Sequence, residues 1–187
     1  MRKDIWDLIW YARLSQRYHG RREAFFERWR KATAMIGILG GSAAFAAVAD
    51  DFPMWLSTTG AVAVVLASTI DLVVGTGVLA HRHAALRRRC YELEQAIVRS
   101  PEPSDADLRE WEAAKIGIES DEPPFYAALA LLCENELHLA MNLPVRNKLT
   151  TWQARTAQWF RHSDCQANDE ARRQEEERLK AKATGSA

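Results

Sequence analysis

From Ala32 to Ala80 the chain is almost continuously apolar, and on both sides of that region polar and apolar positions recur at helical spacing. Only Asp50, Asp51 and Asp71 carry charge inside it. The region divides at DDFP into ATAMIGILGGSAAFAAVA, residues 32–49, and MWLSTTGAVAVVLASTIDLVVGTGVLA, residues 54–80. About 20 apolar residues wound as a helix cross a hydrocarbon layer ~30 Å thick. Neither stretch has the polar face of a soluble surface helix. Two membrane spans joined by a tight hairpin are therefore expected; the competing reading is two buried helices of a soluble protein. Trp29 and Trp55 stand at the edges of the stretches, where aromatic side chains anchor at the bilayer interface.

Charge around the hairpin sets its expected orientation. RREAFFERWRK precedes the first stretch and HRHAALRRR follows the second, while the connector carries two aspartates and no basic residue. Basic flanks stay on the cytoplasmic side. The expected location is a bacterial inner membrane, with both termini cytoplasmic and the lipid bilayer as first partner. The first thirty residues are charged and hold no uninterrupted apolar run, so no cleavable signal peptide is expected.

The stretches carry small residues at helix-contact spacing. Gly37 and Gly41 form GxxxG, Gly40 and Ala44 repeat the interval, and Ala63, Ala67, Asp71 and Gly75 make an i, i+4 ridge in the second stretch. Small residues let helix backbones approach closely in lipid, where packing replaces the hydrophobic drive, so a homo-oligomer is expected. Asp71 shares the ridge. A charge at the bilayer centre costs at least roughly 2.5–3.5 kcal/mol, so this carboxylate should face protein or water. It is either a polar node or pore-lining group of an oligomer, or a protonated acid bonded to a neighbour such as Ser68 or Ser42.

Beyond the hairpin the pattern predicts helices throughout, and hence an all-α chain. The second span is expected to continue as one long helix, with Leu79, His83, Leu86, Cys90, Leu93 and Ile97 as a seam at alternating spacings of four and three. DIWDLIWYARLSQRYHG is an amphipathic, aromatic-rich helix with Gly20 as a candidate interruption. It either lies on the bilayer surface or, as the preferred reading, packs against the seam in a cytosolic bundle. Pro101 and Pro103 end the long helix, and Ser104 caps a helix expected to bury Leu108, Trp111, Ile116 and Ile118. Pro124 suits the first position of the next helix, whose apolar run FYAALALLC is too short for a third span. VRNKLTTWQARTAQWFRH reads as an amphipathic helix built on Leu149, Trp152, Trp159 and Phe160. The organisation is thus a cytosolic N-terminal helix (1–31), a transmembrane hairpin (32–80), a cytosolic helical region (81–162) and a charged tail (163–187).

Composition narrows the function. With 25 basic and 25 acidic residues among 187, the neutral balance argues against a nucleic-acid partner. Cys90, Cys133 and Cys165 make neither a CxxC pair nor an even framework, which points to reduced thiols. His81 and His83 at HxH spacing point apart on a helix, and a metal needs three or four convergent ligands. No phosphate-binding loop, nucleophile elbow, zinc-protease or dinucleotide fingerprint occurs. No enzyme, cofactor or metal is expected.

YARLSQRYHGRR, the two-span hairpin and HAALRRRCYELEQAI together resemble the SLATT group, two-transmembrane effectors associated with the SMODS and SLOG proteins of bacterial defence. The similarity covers roughly Ile9 to Ile97 and rests on positions such as Tyr11, Arg13, Tyr18, His81, Leu86 and Leu93. It implies a non-enzymatic oligomeric effector that perforates the inner membrane in antiphage defence, triggered by a cytosolic sensor or second-messenger-producing partner. It supplies no catalytic residues, and the helices after Pro101 depart from the simplest pattern of the group. DEPPFYAALALLCENEL looks like small membrane proteins of mobile elements. The alternative function is therefore a membrane-tethered helical scaffold that docks a cytosolic partner in such a system.

Overall fold

Long apolar-periodic stretches without internal proline favour helices, and the computed structural model describes residues 3–48, 54–145 and 148–165 as helices and connecting turns. Six helices follow in order: α1 Lys3–Val48, α2 Met54–Val74, α3 Thr76–Arg99, α4 Asp105–Ser120, α5 Ala127–Ala140 and α6 Thr151–Thr156. The protein is all-α, with no strand among the described residues. The connector residues 49–53, with Asp50 and Asp51, and the tail from residue 166 lie outside the described part, as does the side chain of Ala44.

Two compact units are formed, residues 1–18 with 86–187, and residues 19–85. In the first, Leu8 and Ala12 of α1 pack with Leu86, Cys90, Leu93 and Ile97 of α3 and with Leu108, Trp111 and Ile118 of α4. The amphipathic start of α1 thus covers the seam of α3 by packing its own apolar side there. A polar clasp borders this contact. Arg13 Nε donates to Glu94 Oε1 at 2.7 Å, and Gln16 Nε2 donates to Glu94 Oε2 at 2.7 Å and to the Cys90 carbonyl at 3.3 Å. Burial opposes ionisation of Glu94, but the bonds from Gln16 and Arg13 prevail and hold its carboxyl below the usual range. A second cluster joins Tyr18 to Ala128, Leu129 and Cys133 of α5 and to Ala157 and Cys165.

The start of α4 follows from local chemistry. Ser104 Oγ accepts from the Asp107 N–H while the Asp107 carboxylate accepts from the Ser104 N–H, a reciprocal capping box just after the prolines. Four local expectations are corrected. α1 runs through Gly20 without a break, because one interior glycine costs only ~1 kcal/mol and the flanking side chains Ser15, Gln16, Tyr18, His19 and Arg22 are all buried. Ile116 is 64% exposed, whereas Ile118 is buried. Pro124 lies in the loop, and α5 begins at Ala127 after Tyr126. Among its described residues the last amphipathic stretch forms only the short α6 and its following turn, with Trp152, Trp159 and Phe160 exposed.

The second unit holds residues 19–48 of α1, all of α2 and the first turns of α3. Here the continuous helix expected from residue 54 to 97 is broken. Gly75 has φ +64°, and the helical pieces Thr58–Val74 and Thr76–Arg99 meet at 40°. Gly75 N–H still donates to the Asp71 carbonyl at 2.9 Å, and Leu79 N–H to the Gly75 carbonyl at 3.0 Å. Among the described residues no single helix is long and apolar enough to cross a membrane, although the bent pair meets that requirement together.

Candidate functional site

The polar and small residues that the sequence singles out fall at three places in the second unit. The first is the bend. Asp71 opens the last turn of α2 half-buried, and the buried Thr76 opens α3. Thr76 donates its hydroxyl to Asp71 Oδ1 across the Gly75 break. The carboxylate therefore has a partner five residues ahead, rather than Ser68 or Ser42. Ser42 instead donates to the Ile38 carbonyl of its own helix at 2.8 Å. An acid beside the first turn of α3 also meets the positive end of that helix dipole. The i, i+4 ridge is straight only as far as Asp71: Ala67 is half-buried, Ala63 is exposed, and Gly75 departs from helical φ.

The second place is the contact between α1 and α2. A β-carbon at Gly40 would come 2.3 Å from Val64 Cγ2 and 2.9 Å from the Gly60 carbonyl oxygen. Nothing larger than glycine fits there without separating the helices. Gly37 and Gly41 differ, since a β-carbon at either meets nothing within 4 Å. The GxxxG pair is thus open, and Gly40 alone of the three makes the close approach within the chain. Around it the apolar side chains stand outward. Ile38, Leu39, Leu72, Val73 and Val78 are 67–84% exposed. Trp55 is largely exposed, whereas Trp29 is half-buried.

The third place was not legible as a site. His19 of α1 and His83 of α3 are both fully buried, with Nδ1 atoms 3.0 Å apart. One nitrogen carries the shared proton and the other accepts it. The Phe26 ring stacks on His83, with centroids 5.8 Å apart, and the Arg22 guanidinium lies 4.7 Å from the Phe26 centroid. Burial first, and then the charges of His19, Arg22 and Arg82, push the His83 pKa down to about 3. Its HxH neighbour His81 is exposed, so the two rings do face apart.

The remaining seam residues serve as core. Leu86, Cys90, Leu93 and Ile97 are buried, and Leu79 is half-buried. Burial, with the charge of Glu122, raises the Cys90 thiol to about 12, so it is protonated at neutral pH and a poor nucleophile. Among the described residues no three His, Cys, Asp or Glu side chains converge where they could hold a metal ion. An open groove of about 660 Å³ lies between Ile5, Ile9, Ile97 and Val98 and the Pro101–Pro103 turn, with Glu102 among its lining residues. Comparison with protein-family models, with curated proteins and with solved structures gives no match to this chain.

Proposed function

We propose that the protein is a non-enzymatic inner-membrane effector whose helical hairpin inserts in the bilayer, with both termini cytoplasmic, and acts by assembling copies of itself. The observation that carries this reading is the outward-facing apolar surface of the second unit. Leu72 is 84% exposed, Val73 79%, Val78 73% and Ile38 69%, on helices where Asp71 and Thr76 bond each other and several hydroxyls bond their own backbone. Leaving so many large apolar side chains in water is unfavourable at about 25 cal/mol per Å², whereas a hydrocarbon solvent makes the same exposure neutral. The hydroxyls of Ser42, Thr59 and Thr69 each donate to the carbonyl four residues back, which satisfies them without water.

Action by assembly is supported by the open Gly37 and Gly41 positions, which offer a flat backbone face to a second helix. The antiphage role, with a cytosolic sensor or messenger-producing partner as trigger, rests on the resemblance of residues 9–97 to the SLATT group. The test is expression of the full chain in a bacterium. The protein should resist alkaline carbonate extraction from the membrane fraction, crosslink as a ladder of multiples, and release a trapped dye from liposomes. Complete extraction by carbonate would sink the membrane reading. Stable insertion with monomers only and sealed liposomes would sink the effector reading and favour a tether.

A further inference from the structure

The face presented by α6 is inverted relative to ordinary amphipathic packing. Leu149 and the buried Ala157 point into the cluster formed with Leu129 and Cys133 of α5. The large aromatic side chains point away from it, with Trp152 67%, Trp159 53% and Phe160 56% exposed. Lys148 and Arg155 are exposed between and beside them. Residues 152, 155 and 159 follow at intervals of three and four, the spacing of one helical face, and Lys148 stands in the segment just before the Thr150 cap. The turn after α6 keeps that face continuous, since the N–H groups of Trp159 and Phe160 both donate to the Thr156 carbonyl, at 2.9 and 3.0 Å.

This surface is held in place. Thr150 and Gln153 form a reciprocal capping box at the start of α6. At the far end the Arg161 carbonyl accepts from the Ala127 N–H at 3.2 Å, and the Thr156 hydroxyl lies 2.8 Å from His162 Nε2. Exposure of the aromatics is thus a property of a fixed element and not of a loose end.

Basic charge predominates around them, with one nearby acid, the exposed Asp164, which accepts from Gln153 Nε2 of α6 at 3.1 Å. From Leu137 to Ser163 the chain contains no Asp or Glu and four basic residues, Arg146, Lys148, Arg155 and Arg161. We propose that the α6 face is a membrane-surface contact: Trp152, Trp159 and Phe160 sit among the headgroups of a bilayer, and Lys148, Arg155 and Arg161 bind its anionic phospholipids. Tryptophan suits this position because its ring is apolar and its N–H needs a polar partner. Basic side chains beside such rings are the pattern of helices that lie in the interface. A twofold contact between copies through this face would set like charges against each other, which disfavours a second copy as its occupant. The inference names a second lipid contact outside the hairpin and does not depend on the hairpin inserting.

The test uses the full chain with vesicles whose acyl chains carry bromine, made of zwitterionic lipid with or without an anionic phospholipid. The emission of Trp152 and Trp159 is obtained as the difference between wild type and a Trp152→Phe/Trp159→Phe variant, with helical content checked by circular dichroism. That emission should be quenched in anionic vesicles and markedly less in zwitterionic ones. Lys148→Glu with Arg155→Glu should remove roughly half of the quenching or more. Unquenched difference emission in a vesicle-bound chain overturns the proposal, as would happen if a soluble protein were the true occupant. Equal quenching in both lipids overturns the electrostatic part. A chain that floats only with anionic vesicles sinks the hairpin reading and keeps this one; a chain that floats with neither sinks both.

Discussion

The imidazoles of His19 and His83 meet nitrogen to nitrogen at 3.0 Å with both rings withdrawn from solvent. Sixty-four positions separate them in the chain. The pair ties α1 to α3 where each side contributes mainly rings and cations: Phe26 stacks on His83, and Arg22 lies against Phe26. A proton added to His83 would place charge in a buried pocket beside Arg22 and Arg82, which is why its pKa is pushed down to about 3.

The pH dependence follows with a definite sign. In the unfolded chain His83 has its ordinary value of 6.5, and burial in the folded chain pushes it down to about 3. Above pH 6.5 both states are neutral and stability is unaffected. As pH falls below 6.5 the unfolded state takes a proton that the folded state refuses, so stability drops, by about 2 kcal/mol at pH 5. Below the folded value the loss levels off. Melting in detergent at pH 7 and pH 5 should show a lower Tm in acid, and His83→Gln should flatten that difference. An equal acid shift in the variant would show that other groups carry it.

Asp71 and Thr76 should behave as a pair. Thr76→Val and Asp71→Ala each remove the bond across the bend, and a double-mutant cycle should return a coupling of about 1 kcal/mol. Asp71→Asn keeps an acceptor oxygen and should preserve the bend. Spin labels at positions 68 and 82 report it directly, with a longer distance expected in the Val and Ala variants than in wild type or Asn. Unchanged distances throughout would show that the bond follows the bend without setting it.

The three neighbouring glycines separate folding from assembly. Gly40→Leu drives a side chain into Val64 and the Gly60 carbonyl, so it should disrupt the α1–α2 contact and lower the yield of folded monomer. Gly37→Leu and Gly41→Leu meet open space within the chain and should leave the monomer melting as wild type while weakening crosslinked multiples. Loss of folded monomer in all three, or intact multiples in the last two, would remove the open face as an assembly surface.

Topology is checked independently of packing. A reporter fused after Ala187 should be active only in its cytoplasmic form, and a tag inserted at Asp51 should be reachable from the outer side of the membrane. An external C-terminus would invert the proposed orientation.

Local rules read some elements and missed others for identifiable reasons. The α4 start was legible because Ser104 and Asp107 carry their own capping chemistry. Ile116 was misassigned although helix geometry separates it from Trp111 by about 140°, while Ile118 falls within about 20° of Trp111. The amphipathic reading of residues 145–162 left open which way Trp152 and Trp159 face, because apolar character alone does not distinguish a buried side chain from an exposed one. Two further features are tertiary: the His19–His83 contact leaves no local trace, and the choice of Gly40 over Gly37 and Gly41 depends on where α2 lies. The bend had a visible signal in Gly75 followed by Thr76, but a glycine in an apolar run fits a straight helix equally well.

Gly75 also has a consequence for how tolerance to change is judged. The space where its side chain would stand is empty to 4 Å, so a reading based on contacts would rate the position as freely replaceable. Its φ of +64° says the opposite, since an L residue there is strained by roughly 1–2 kcal/mol whatever its size. The restriction is one of handedness and not of volume. D-alanine, placed by semisynthesis, should be accepted at the same position where L-alanine bends or straightens the chain.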